Sequence, residues 1–265
     1  MPVVLAPAIL SAVYNATFRC ADSAPTTIIG PDATLFRAFD QEYFAVDTYR
    51  HILRRDHAMN ALMIRDEVSD QNRFTGPSHD RAIPSWGGLY CSLQQQALTN
   101  EVAHYIQDKR AKAATARGTA PPGPLPRTAV FNSKAAIKIR ALGPVIAVDI
   151  SLHNAYGANF VSMIGQDSEV KAALGAAGKG SMALWDAMND SFDCSVARGI
   201  GLALANHGYE ALCAQTVRAS ERSPLERGDN LIFFGHQGRI VQNLSIVEAY
   251  LFPVVGGLDV YPVEY

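Results

Sequence analysis

The chain has no close pair of cysteines. Its four stand apart, at Cys20, Cys91, Cys194 and Cys213, with no Cys-x-x-Cys among them. That argues against a disulfide framework or a thiolate zinc site and fits reduced thiols in a cytoplasmic protein. There is no basic surplus either. The formal net charge is −2 with 18% charged residues, so the cationic footprint of a general nucleic-acid binder is missing. No apolar run is long enough to span a bilayer. Residues 2–13 (PVVLAPAILSAV) are apolar but follow no basic segment and stop at Tyr14. They make a poor signal peptide, and the expectation is a buried N-terminal segment. Also missing are Gly-x-Gly-x-x-Gly, Gly-x-Ser-x-Gly and His-Glu-x-x-His, which disfavours a Rossmann site, a hydrolase elbow and a zinc-protease helix. The run from Gly175 to Ser181 imitates a phosphate-binding loop. Its first glycine is misplaced, however, and Gly180 holds the Ser/Thr position, so it reads as a turn. The histidines are scattered, and His51 and His57 do not share a helix face, so no metal set is expected.

What is present suffices for one large domain or two small ones with an ordinary core. Residues 34–70 are rich in helix formers. Phe36, Phe39, Tyr43, Phe44 and Ile52 recur at mixed three- and four-residue spacings, which predicts amphipathic helix. Residues 71–88 carry Gly, Pro and Ser punctuation and read as loop. Leu89 to Leu93 is a strand candidate, and residues 94–112, free of Gly and Pro, read as helix. A Pro/Gly-rich stretch at 115–127 is expected to be a mobile loop. Strands are expected at Ala129 to Ile139, Pro144 to Ile150, Ala211 to Ala214, Asn230 to Phe234 and Ile246 to Phe252. Helices are expected at 167–178 and 182–207, the second closing at His207-Gly208. No internal repeat is visible. The mixed order predicts an α+β fold with a small central mixed or antiparallel sheet flanked by helices. Residues 1–69 would form a mainly helical N-terminal extension packed on a domain of residues 70–265. Trp86 and Trp185 read as packing residues.

Several short elements occur in an order that resembles the RES-domain family of bacterial NAD-consuming toxins. They are Asn72-Arg73-Phe74-Thr75, then Leu89-Tyr90, Ala97 and Glu101, then Gly208-Tyr209-Glu210-Ala211-Leu212 and Gln215-Thr216-Val217-Arg218, and last Gly228-Asp229-Asn230-Leu231-Ile232-Phe233-Phe234. The likeness spans roughly residues 70–235 and includes the strand from Val145 to Ile150. Where the family usually has Pro-Ser this chain has Gln215-Thr216, and Asn72 replaces a usual glycine.

The resemblance implies an ADP-ribosyltransferase-like cleft that takes NAD as a consumed substrate, without a metal and without nucleic-acid or membrane partners. It also implies an antitoxin or immunity protein that covers the cleft. It assigns Arg73, Tyr90, Glu101 and Thr216 to catalysis, with Arg73, Tyr90, Arg218 and Ser220 holding the ligand. The residue chemistry suits such work. A guanidinium can grip a pyrophosphate by paired hydrogen bonds. A fixed carboxylate stabilises the positive charge that builds on ribose C1′ as nicotinamide leaves. Each residue also has a plainer reading. Arg73 reads as a solvated loop arginine, Tyr90 as a core tyrosine with a satisfied hydroxyl, and Glu101 as a carboxylate near a helix start. Thr216 and Ser220 read as turn residues, and Arg218 as the ion-pair partner of Glu221 or Glu226. Transfer of ADP-ribose to a macromolecule, or a non-catalytic nucleotide-binding or interaction module, stand as alternative functions.

Overall fold

The computed structural model describes residues 5–40, 46–47, 52–54, 72–120, 134–151, 153–190, 193–215, 229–235, 244–251, 260–261 and 263–264. The chain opens with helix α1 (Pro7–Cys20), where proline sits in the first turn and its missing N–H costs nothing. Ile9, Leu10, Val13, Ala16 and Thr17 recur at helical spacing and are buried, as expected of the apolar N-terminal segment. Strands β1 (Thr26–Ile29), β2 (Thr34–Asp40), β3 (Val46–Asp47), β4 (Ile52–Arg54) and β5 (Gly87–Ser92) follow, then helix α2 (Gln95–Ala116) and strands β6 (Lys134–Ala141) and β7 (Val145–Asp149). Four helices come next: α3 (Ala155–Gln166), α4 (Ser168–Ala176), α5 (Leu184–Met188) and α6 (Ser195–His207). The chain closes with β8 (Ala211–Gln215), β9 (Asp229–Gly235), β10 (Leu244–Leu251), β11 (Val260–Tyr261) and β12 (Val263–Glu264).

Among the described residues nine strands form one sheet in the order β1-β7-β8-β9-β5-β2-β6-β10-β11, and β12-β4-β3 form a second. In the large sheet β7 and β8 pair in parallel and the other pairs are antiparallel. The fold is α+β with a mixed sheet, as expected, but the sheet is larger than the small one anticipated. Connectivity forces it to curl. Strands β6 and β7 are joined only by Leu142, Gly143 and Pro144, yet they stand five places apart in the strand order. Such a short link reaches only if the two ends of the sheet approach each other. The core agrees, because Ile137 and Ile139 of β6 share one apolar cluster with Val145 and Ala147 of β7.

Side chains alternate between the two faces of each strand. Leu89, Cys91, Cys213, Leu231 and Phe233 point into the curl. Leu212, Ala214, Ile232 and Phe234 face the helices, where they meet Ile9, Val13, Phe160, Ile164, Val196 and Ile200. Each such Leu, Ile or Phe contributes roughly 1.5–3 kcal/mol by leaving water. Helix α6 is buried from Ser195 to Ala205, and two glycines allow that. A Cβ at Gly199 would stand 2.9 Å from the carbonyl oxygen of Leu10 in α1, and one at Gly201 would stand 2.0 Å from the carbonyl oxygen of Phe74.

Two sequence expectations need correction. Residues 34–40 are not helical. They form β2, held between β5 and β6, with Leu35 fully buried. The local preference for helix is overridden by two strand partners distant in sequence. Residues 46–47 and 52–54 are also strands, and the rest of 41–71 lies outside the described residues. The described residues before 70 thus supply helix α1 to the helix layer and strands β1 and β2 to the main sheet. The expected helix over 182–207 is two helices, broken between Asn189 and Cys194 where Asp side chains bond the backbone. Asp190 and Asp193 accept the N–H groups of Asp193 and Ser195. The turn reading of residues 175–181 holds, with Gly178 at φ +74° and Lys179 committed to Asp190 and Asp193. Gly208 closes α6 in the left-handed conformation, φ 104°. All four cysteines are free thiols. Residues 121–127 of the expected Pro/Gly loop lie outside the described residues. Among the described residues no helix is long and apolar enough to cross a membrane.

Candidate functional site

Strands β5, β7 and β8 point the same way, because β7 pairs in parallel with β8 while β9 runs antiparallel to both β8 and β5. Their C-terminal ends, Ser92, Asp149 and Gln215, meet at one edge of the sheet. In sheets that contain parallel strands, this edge is where ligands are commonly received.

On the helix face the loop 72–78 runs back along β5, from Tyr90 past Gly88 to Trp86, and is fastened to its surroundings by named bonds. The Tyr90 phenol oxygen accepts the N–H of Phe74 at 2.6 Å, with the Thr75 hydroxyl beside it. Burial raises the Tyr90 pKa to about 12, so at neutral pH the group is a neutral phenol. Arg198 of α6, fully buried, donates to the carbonyl oxygens of Asn72 and Pro77. Arg73 itself is partly exposed. Its Nη1 donates to the carbonyl oxygen of Met188 at the end of α5, at 2.9 Å. Its Nε and Nη2 have no hydrogen-bond partner among the described residues. Cys194 lies close enough to feel both Arg73 and Arg198. Burial pushes its thiol pKa up, against the pull of the two cations. Two glycines make room: Gly201 lies under Phe74, and Gly88 lies under Thr75, where a Cβ would sit 2.7 Å from the Thr75 hydroxyl oxygen.

A second polar cluster sits along the same edge. The Asp149 carboxylate accepts the Ser151 N–H and hydroxyl and the Asn154 amide. Asn154 also caps α3 through the N–H groups of Tyr156 and Gly157. His153 Nε2 lies 3.1 Å from Ser151 Oγ and 3.3 Å from Asp229 Oδ2. The Ser151 hydroxyl donates to Asp149. Asp229 has its pKa raised, first by burial, with His153 opposing and Asp149 adding to the shift. Ser92 Oγ donates to Asn230 Oδ1 at 2.8 Å.

Of the residues picked from sequence, the fold brings Arg73 and Tyr90 together. It engages the Tyr90 hydroxyl within the loop, with Phe74 N–H and the Thr75 hydroxyl. Glu101 stands in the second turn of α2, the helix that leaves the end of Tyr90's strand; its side chain lies outside the described residues. Thr216, Arg218 and Ser220 lie outside them too, beginning one residue past the end of β8. Sequence reasoning missed Arg198, His153 and the tie between Asp149 and Ser151. Arg198 did leave a signal, as a lone cation inside the apolar, glycine-spaced run Val196 to Ala205. Among the described residues no group of three or more His, Cys, Asp or Glu could hold a metal ion.

Fold and site together define an α+β protein with an arginine–tyrosine element at the C-terminal edge of its co-directional strands. No protein-family model matches the chain, and no curated protein matches it. Among solved structures it is similar to a chain of the crystal structure of the M. tuberculosis MbcT-MbcA toxin-antitoxin complex. The identity is 12%, the TM-score is 0.41, and 90% of each chain is covered. A likeness at that level is one of overall chain path and assigns neither a reaction nor a residue.

Proposed function

We propose that this protein is an NAD-consuming toxin of the RES type that breaks the bond between ribose and nicotinamide. The observation that carries the reading is the fastening of the Arg73 loop to Tyr90 through the 2.6 Å bond from Phe74 N–H. It sets a partly exposed arginine, anchored by one nitrogen, beside an aromatic ring at the strands' C-terminal edge. Of the motifs that resemble the family, Asn72 to Thr75 and Leu89-Tyr90 adjoin here.

In this reading Arg73 holds the pyrophosphate with its remaining N–H groups. The Tyr90 ring packs on the nicotinamide side, and Glu101 stabilises the cation forming at C1′. Thr216 supplies a hydroxyl to the ligand, and Arg218 and Ser220 add contacts to phosphate. When the C1′–N bond breaks, its electron pair stays on the pyridine nitrogen and neutral nicotinamide departs. The ribosyl cation is then captured by an acceptor, which is water, phosphate or a nucleophile on a target. With water the products are ADP-ribose and a proton. The catalytic part lies in residues 70–265, and the segment before it supports the sheet. The resemblance also implies an antitoxin that covers the cleft.

The test is to incubate the purified chain with NAD and follow free nicotinamide, with Glu101→Gln alongside. Release by the wild type, reduced roughly 100-fold or more in a folded variant, is the expected result. No release from either, with phosphate and cell extract supplied as acceptors, would sink the enzymatic reading. Label from NAD on a macromolecule instead of in free ADP-ribose would identify the acceptor as a target chain.

A further inference from the structure

The outer edge of the large sheet carries a surface that the proposed reaction does not use. Strand β1 ends the sheet, four places from β5. Asp149 N–H donates to the Pro25 carbonyl, and the register pairs Thr27 with Ala147 and Ile29 with Val145. In an antiparallel ladder, bonded and non-bonded pairs alternate, so the N–H and C=O groups of Thr26 and Ile28 point away from β7 into the open. Edge strands are usually blunted by charge or by an inward kink. Residues 26–29 (TTII) contain no charge, and Ile28 is 70% exposed beside its cross-strand partner Ile146, 50% exposed.

The neighbouring helix continues this surface. On α3, Tyr156, Asn159, Phe160 and Met163 recur at helical spacing. Tyr156 and Met163 are 78% and 46% exposed. Together with Pro25 and Thr26 these residues line a groove of about 490 Å³ between β1 and α3. None of the groove's lining residues is charged.

We propose that β1 pairs with β1 of a second copy of this chain, joining two large sheets across a two-fold axis. The outward residues suit such an axis. Placed at Thr27, it sets Thr26 of one copy opposite Ile28 of the other, and both members of each pair present free N–H and C=O groups. A two-fold interface also brings every central side chain close to its own copy, so any charge there would meet itself. The neutrality of β1, Ile146 and the groove meets that demand. Ile28 of each protomer leaves water against the Thr26 end of its partner's groove, which is a form of strand addition.

The account is tested by sedimentation of the wild type and of Ile28→Lys over a concentration series, with Met182→Lys as a control at an exposed apolar residue elsewhere. Ile28 is exposed, so the lysine variant should fold, as far-UV circular dichroism would verify. The expected result is a dimer for the wild type and Met182→Lys, and loss of half the mass for Ile28→Lys. Amide exchange at Thr26 and Ile28 should also be slow only in the dimer. A wild type that stays monomeric, or a dimer untouched by Ile28→Lys, would overturn the proposal. Neither outcome bears on the NAD reading, whose carrying observation, the bond from Phe74 N–H to Tyr90, lies at β5, four places from β1.

Discussion

At the scale of single residues, Tyr90 has two separable parts. Its oxygen accepts a buried N–H and its ring packs partly into the outer core. Tyr90→Phe keeps the ring and leaves the Phe74 N–H without an acceptor, which should cost about 1–3 kcal/mol in urea unfolding. If the ring's role toward ligand is as proposed, KM for NAD should change little in the folded variant. A large KM rise with unchanged stability would contradict both parts of the assignment. Arg198 holds the same loop from below. Arg198→Met should destabilise by about 3 kcal/mol, since the Asn72 and Pro77 carbonyls lose a charged donor.

Asp229 supplies a prediction with a pH sign. Burial raises its pKa above the ordinary carboxylate value, so the folded chain holds that proton more tightly than the unfolded one. Its contribution to stability is therefore fully present in acid and is lost as pH rises through the raised value. Asn does not titrate. The stability of Asp229→Asn relative to wild type should thus increase with pH from about 4 upward. A difference that is flat or falls across that range, measured by denaturant melts, would contradict the assignment.

At the scale of elements, close approach between α6 and the Arg73 loop depends on Gly201. A Cβ there would stand 2.0 Å from the Phe74 carbonyl oxygen, so Gly201→Ala must push the loop off the helix. The expected cost is about 1–3 kcal/mol, with NAD turnover falling further than stability alone explains, as Arg73 moves with the loop. Full activity in a Gly201→Ala variant of unchanged stability would place the loop elsewhere.

The elements also explain what could be read from the sequence. Strands β5, β8 and β9 were legible because their apolar runs are buried on both faces and bounded by turn residues, and β7 because its apolar run ends at Asp149, although Ile146 is exposed. Strand β2 was not, because Phe36, Phe39 and the helix formers around them mimic a helical period, and only its partners β5 and β6 decide otherwise. Helix α3 went unread because Gly157 lowers its local propensity. That glycine is needed, since a Cβ there would lie 2.4 Å from the Asp149 carbonyl oxygen. Of the site, Arg73 and Tyr90 were legible through their motif order. The burial of Arg198, and its bonds to a loop more than a hundred residues away in sequence, depend on tertiary contacts that no local pattern carries.

At the scale of the whole molecule, the curled sheet separates the two large apolar cores of the described residues and gathers a polar edge. The inner core closes the sheet on itself, and the outer core seats the helices. The polar edge gathers the ends of β5, β7 and β8, with the N-terminus of α3 and the Arg198 end of α6 beside it. The central claim is that this edge turns over NAD through Arg73. The most direct measurement is nicotinamide release from NAD by wild type and by Arg73→Ala in the same assay, with folding of both confirmed by thermal melts. The account predicts steady release by the wild type and a drop of roughly 100-fold or more in kcat/KM for the variant. Equal turnover by the two proteins would contradict the assigned site, and none from the wild type would contradict the activity itself.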